Sequence, residues 1–91
     1  MGTEVVLTKL FEKQLRKVPN HIRINAIDWI ESVERYGIRF MRQFPGYHDE
    51  PLKGDRRGQR SIRLSKSYRL IYEEREKEVL IYVLEVSKHG Y

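Results

Sequence analysis

The chain has 91 residues, with 18 Lys/Arg against 13 Asp/Glu for a formal net charge of +5, and it has no cysteine. A chain of this length buries only about 60 to 65% of its unfolded surface on folding, so residues 1–91 are read as a single domain with one thin core. Disulfide scaffolds, thiolate metal sites and cysteine nucleophiles are excluded, and a 40% hydrophobic share beside 34% charged residues describes a folded domain with a heavily charged surface.

Glu4 to Leu7 is a short β-branched run that predicts a strand, and Thr8 is placed to cap the helix that follows. In that helix Phe11, Leu15 and Val18 recur at helical spacing with Leu10 beside them, while Lys9, Lys13, Arg16 and Lys17 face outward. Pro19 and Asn20 start a second helix, whose stripe of Ile22, Ala26, Trp29, Ile30 and Val33 opposes a charged face until Gly37 ends it. An antiparallel helix hairpin is expected. Helical periodicity is lost from Ile38 to Asp55, where Pro45, Gly46, Pro51 and Gly54 predict a structured loop with one helical turn near Phe40.

After Gly58 the apolar residues alternate. Ile62 and Leu64, then Tyr68, Leu70 and Tyr72, predict two antiparallel strands joined at Ser65 to Ser67. Glu74 to Lys77 reads as a hairpin loop, and Val79 to Val86 as a central strand buried on both faces. The fold class is therefore α+β: an amino-terminal strand, then a two-helix hairpin packed on one face of a twisted antiparallel sheet, in the order β-α-α-β-β-β. The longest apolar run, Val79 to Leu84, is about a third of the ~20 residues that a bilayer crossing needs. Neither a membrane span nor a signal peptide is expected, and a cytoplasmic protein fits this reading.

Positive charge is concentrated. Residues 1–50 hold eight Lys/Arg and seven Asp/Glu, whereas residues 51–69 hold seven Lys/Arg against Asp55 alone. With helices on one face, the other face of the sheet is expected to be free, and Lys53, Arg56, Arg57, Arg60, Arg63 and Arg69 would line it. Such a surface binds phosphates through guanidinium forks, with Tyr47, Tyr68 or Tyr91 available to stack on unpaired bases. It reads equally well as a solvated strand face. Glu50, His89 and Tyr91 are the groups that titrate usefully, while His21 and His48 read as ordinary surface residues. RNA supplies its own 2′-hydroxyl nucleophile, so a base, an acid and a cation suffice for strand cleavage, and neither a metal nor another cofactor is required.

The segment Glu50-Pro-Leu-Lys-Gly-Asp-Arg56, followed by Gly58, Ser61, Ile62, the strand Tyr68-Arg-Leu-Ile-Tyr72 and the ending Lys88-His-Gly-Tyr91, resembles the RelE superfamily of toxins, most closely its YoeB and HigB branches. The resemblance implies an mRNA interferase acting in the 30S decoding site of the ribosome and held in check by an antitoxin. It implies Glu50 as general base, Arg69 as the contact to the scissile phosphate and His89 as general acid. Tyr91 would orient or stack the substrate, although Gly90 separates it from His89 where YoeB-like toxins have the two adjacent. Lys53, Arg56, Arg57, Arg60, Arg63 and Lys88 would grip the message. The same superfamily includes ParE-like toxins that poison DNA gyrase, so a gyrase-directed toxin and a non-catalytic binding module remain the alternatives.

Overall fold

The structure, a computed structural model, describes residues 3–86. Strand β1 (Glu4–Leu7) leads through Thr8 into helix α1 (Lys9–Lys17). The Thr8 hydroxyl accepts a hydrogen bond from the Phe11 amide at 3.0 Å and donates to the Tyr82 carbonyl at 2.5 Å. The cap therefore satisfies a free amide of the first turn and also fastens the helix start to the last strand. Helix α2 (Asn20–Tyr36) is tied to the end of α1 by Arg23, whose guanidinium donates to the carbonyls of Leu15, Arg16 and Val18. Those carbonyls lack partners within the helix, and a cation is favoured there. Gly37 ends α2 at φ 91°, a left-handed conformation that costs a glycine little.

Beyond Gly37 come one helical turn, α3 (Ile38–Met41), a 3₁₀ turn at Pro45–Tyr47, and the two-residue strand β2 (Glu50–Pro51). A second 3₁₀ turn, Gly54–Arg56, precedes β3 (Arg60–Arg63), β4 (Tyr68–Glu74) and β5 (Glu78–Val86). The sheet order is β1-β5-β4-β3-β2. The expected α+β class and element order hold, but the sheet is mixed: β1 pairs with β5 in parallel, and the other pairs are antiparallel. A parallel neighbour needs a long crossover, and here the whole helical segment intervenes between β1 and the later strands. Where β1 stops, the Gln14 side chain takes over, its amide donating to the Leu84 carbonyl at 3.0 Å and its oxygen accepting from the Leu84 amide at 2.8 Å.

Phe11, Ile22, Ala26, Trp29 and Val33 from the helices close on Ile62, Leu64, Leu70, Tyr72, Val79, Ile81 and Leu84 from the sheet. The stripe expected on α2 is buried, with Ile30 half-buried at its edge, but Leu10 is exposed. Strand β5 is internal, yet it is not buried on both faces. Val79, Ile81 and Leu84 enter the core, whereas Leu80, Tyr82 and Val83 on the remaining positions are half-buried.

The expected bare face also needs correcting. Ile71 is 1% exposed and Ser61 4%, although Ile71 lies outside the cluster beneath the helices. That face also carries the pair of Arg56 with Glu85, so it is not bare. Among the described residues no helix is long and apolar enough to cross a membrane.

Trp29 is fully buried and its ring packs 5.2 Å from that of Tyr72. Trp29→Ala is expected to lower the unfolding free energy by about 3–5 kcal/mol, read from urea denaturation. Trp29→Phe should cost much less, because the indole N–H has no hydrogen-bond partner among the described residues.

Candidate active site

The short strand β2 is held from below by the residue just before it. The Asp49 side chain is 2% exposed; it accepts from Arg60 Nε at 2.6 Å and from the Tyr72 hydroxyl at 2.5 Å, and Arg42 Nε lies 3.8 Å away. Burial, reinforced by the Asp49 carboxylate, pushes the Tyr72 phenol up, so it stays a proton donor to that carboxylate. Because side chains alternate along an extended chain, anchoring Asp49 on the helix side sends Glu50, the next residue, to the opposite face. His48 and Glu50 both line a cleft there, together with Ser61, Arg63, Tyr68 and Arg69. The backbone of His48 is left-handed at φ 48°, and its amide closes the preceding turn by donating to the Pro45 carbonyl at 3.1 Å.

Strand register supplies the cations. Glu50 stands opposite Ser61, and Arg63, Arg69 and Glu85 form a row across three strands. Two guanidinium groups side by side repel, and Glu85 provides the counter-charge. Arg69 donates to Glu85 Oε1 from Nε at 3.2 Å and Nη2 at 2.9 Å, while Arg56 Nη1 donates to the same oxygen at 3.0 Å. The hydrogen bonds from Arg56 hold the Glu85 carboxyl below its ordinary range; partial burial opposes this and Arg69 adds to it. Arg63 is exposed and makes no ion pair among the described residues.

Of the residues singled out in the sequence, Glu50, Arg63 and Arg69 are thus brought into one cleft. Lys53 and Arg57 are exposed on the segment beside it, and Arg56 is engaged by Glu85. Arg60 points to the other side, where it neutralises Asp49. Lys88, His89 and Tyr91 lie outside the described residues. Sequence reasoning missed His48, Asp49 and Glu85. For Asp49 the available signal was its alternation with Glu50, but the Pro/Gly-rich surroundings concealed a strand there, and His48, whose backbone is left-handed, offered none. Among the described residues no group of three or more His, Asp or Glu side chains is arranged to hold a metal ion. A carboxylate and guanidinium groups facing one space can accept a proton and bind a phosphate.

Solved structures of toxins share this fold. YafQ from E. coli BL21(DE3) is 15% identical, with 93% of each chain covered and a TM-score of 0.74. The toxin-antitoxin complex RelBE2 of Mycobacterium tuberculosis is 21% identical over 96% of this chain and 100% of that one, at a TM-score of 0.71. The YoeB dimer of Staphylococcus aureus is 15% identical over 93% and 97%, also at 0.71. No curated protein matches the sequence. The chain belongs to the ParE toxin family of type II toxin-antitoxin systems, parDE, which matches residues 5–90. The resemblance to RelE-superfamily toxins is thereby borne out.

Removing the buried carboxylate by Asp49→Ala leaves Arg60 without its counter-charge and the Tyr72 hydroxyl without its acceptor, and is expected to destabilise the fold by about 3–5 kcal/mol in urea titrations. Glu85 makes a different prediction. Its folded-state pKa is depressed, so its contribution to stability is present above the ordinary carboxylate pKa and fades as pH falls through the lower folded value. Acid titration of thermal stability should show that loss in the wild type and a smaller one in Glu85→Gln. The same variant should bind single-stranded oligonucleotides more tightly, because Arg69 and Arg56 are released for phosphates.

Proposed function

We propose that this toxin is a metal-independent endoribonuclease that cuts mRNA in the decoding site of the ribosome, inhibiting translation in the cytoplasm. The observation that carries the reading is the cleft shared by Glu50, Arg63 and Arg69. In this reading Glu50 takes the proton of a 2′-hydroxyl, whose oxygen attacks the adjacent phosphorus. The bond to the 5′-oxygen breaks, leaving a 2′,3′-cyclic phosphate, and His89 gives that oxygen its proton. Arg69 and Arg63 stabilise the charge of the phosphorane, where preorganised donors act most strongly. Lys53, Arg56, Arg57 and Lys88 hold the flanking phosphates, and Tyr91 stacks on a base. Arg60 contributes indirectly, through the Asp49 anchor that sets the position of Glu50.

A cognate antitoxin is the second partner. Two structural neighbours are toxin-antitoxin complexes, RelBE2 and DinJ-YafQ, and the positive field concentrated in residues 51–69 suits an acidic partner segment. The other reading is a toxin directed at DNA gyrase, since a shared scaffold does not settle activity. The nuclease reading is preferred because gyrase binding requires neither Glu50 nor Arg69 in a common cleft.

Purified protein in a cell-free translation reaction is expected to leave message cut within the translated region while plasmid supercoiling by gyrase proceeds normally. Glu50→Gln and His89→Ala should each slow cutting by about 100-fold or more, and Arg69→Ala by about 100- to 1000-fold. Intact message with blocked supercoiling would transfer the assignment to gyrase. Full toxicity of an Arg69→Ala, His89→Ala double variant would leave a non-catalytic binder.

A further inference from the structure

A second, larger groove runs between α2 and segment 36–47, enclosing about 580 Å³, and it shares Arg63 with the cleft of Glu50 and Arg69. Its wall is aromatic. Tyr36, Phe40 and Phe44 form a ladder with ring centroids 5.4 Å apart at each step, and they are 52%, 44% and 43% exposed. Tyr47 continues the lining toward Arg63. Three large rings left open on so small a domain mark a surface that binds something. The polar groups of the groove say what. Asp28 and Ser32 project from α2, and Asp28 is exposed and forms no ion pair among the described residues. Its charge reaches Tyr47, whose phenol is raised by burial and further by that carboxylate.

An ionised carboxylate only accepts hydrogen bonds, on two neighbouring oxygens. Among the four RNA bases, guanine alone presents two adjacent donors, N1–H and the 2-amino group, on its pairing edge. Adenine, cytosine and uracil each place an acceptor beside the donor. The aromatic ladder offers the stacking surface that an unpaired base requires. Arg63 stands at the junction, where it can hold the phosphate between a nucleotide in the groove and one in the cleft. We infer that the groove is a guanine-binding subsite for a nucleotide flanking the cut, with Asp28 setting base preference. The inference rests on the nuclease reading for its substrate class, but binding can be measured without cleavage.

The test uses RNA hexamers 2′-O-methylated throughout, which have no nucleophile, differing only by guanine or adenine at one position in turn. They are titrated into the full chain and into Asp28→Asn while NMR shifts are followed. The guanine oligomer is expected to bind about tenfold tighter at one position, a margin typical of a bidentate base contact, with shifts at Tyr36, Phe44 and Tyr47. Asp28→Asn should erase that margin while leaving the thermal midpoint unchanged. Equal affinity for the two oligomers, an unchanged margin in Asp28→Asn, or shifts confined to other surfaces would overturn the subsite. So would concentration-dependent shifts of the same rings without RNA, which would assign the groove to a second copy of the chain. Cut message alongside equal affinities would sink the subsite alone, and a guanine preference alongside uncut message would sink only the nuclease.

Discussion

A buried carboxylate at the threshold of a two-residue strand is the constraint on which the site depends. Strand β2 has just two register pairs with β3, Glu50 with Ser61 and Pro51 with Arg60, and Pro51 has no amide to donate to a ladder. Such a strand cannot hold its own orientation. Asp49 does this instead, by bringing Arg60 and the Tyr72 hydroxyl, both on the core face, to one side chain. Desolvating a carboxylate is expensive, and only good geometry with several donors offsets it. Here that geometry also decides which way the chain faces as it enters β2, so the position of Glu50 follows from the packing of its neighbour.

The opposite face is organised by charge. Arg63 and Arg69 are cross-strand neighbours, an arrangement that weakens a sheet unless an anion intervenes. Glu85 intervenes for Arg69 and also captures Arg56 from the Gly54–Arg56 turn. The result is a face neither bare nor apolar: occupied along one part by the pair of Arg56 with Glu85, open along another where Arg63 meets solvent. A substrate phosphate entering that opening finds guanidinium groups already oriented by the protein and displaces no helix to reach them.

Legibility differed by element. The α2 stripe of Ile22, Ala26, Trp29 and Val33 was read correctly because a helix half-buried on one side leaves a period in the sequence. Strands β3 and β4 were read from their alternation for the same reason. Segment 38–55 resisted, since its turn α3, its 3₁₀ turn and its two-residue strand are each too short for any period to show. The pairing of β1 with β5 was hidden too: those strands are separated by most of the chain, and neither carries a mark of parallel partnership. Glu50 and Arg69 were picked out by motif resemblance, whereas His48 was set aside as a surface group because its cleft is made by residues distant in sequence.

By itself, then, the sequence determined the longer helices and strands, the helix-side core and the crowding of cations into residues 51–69, all properties carried by local spacing and composition. Only the tertiary structure decided which of those cations are available. Arg60 and Arg63 look alike along the chain, yet strand alternation turns one inward to neutralise Asp49 and leaves the other facing the cleft. A guanidinium's role is set by the carboxylate it meets, and that meeting is a contact between separate strands rather than a feature of either one.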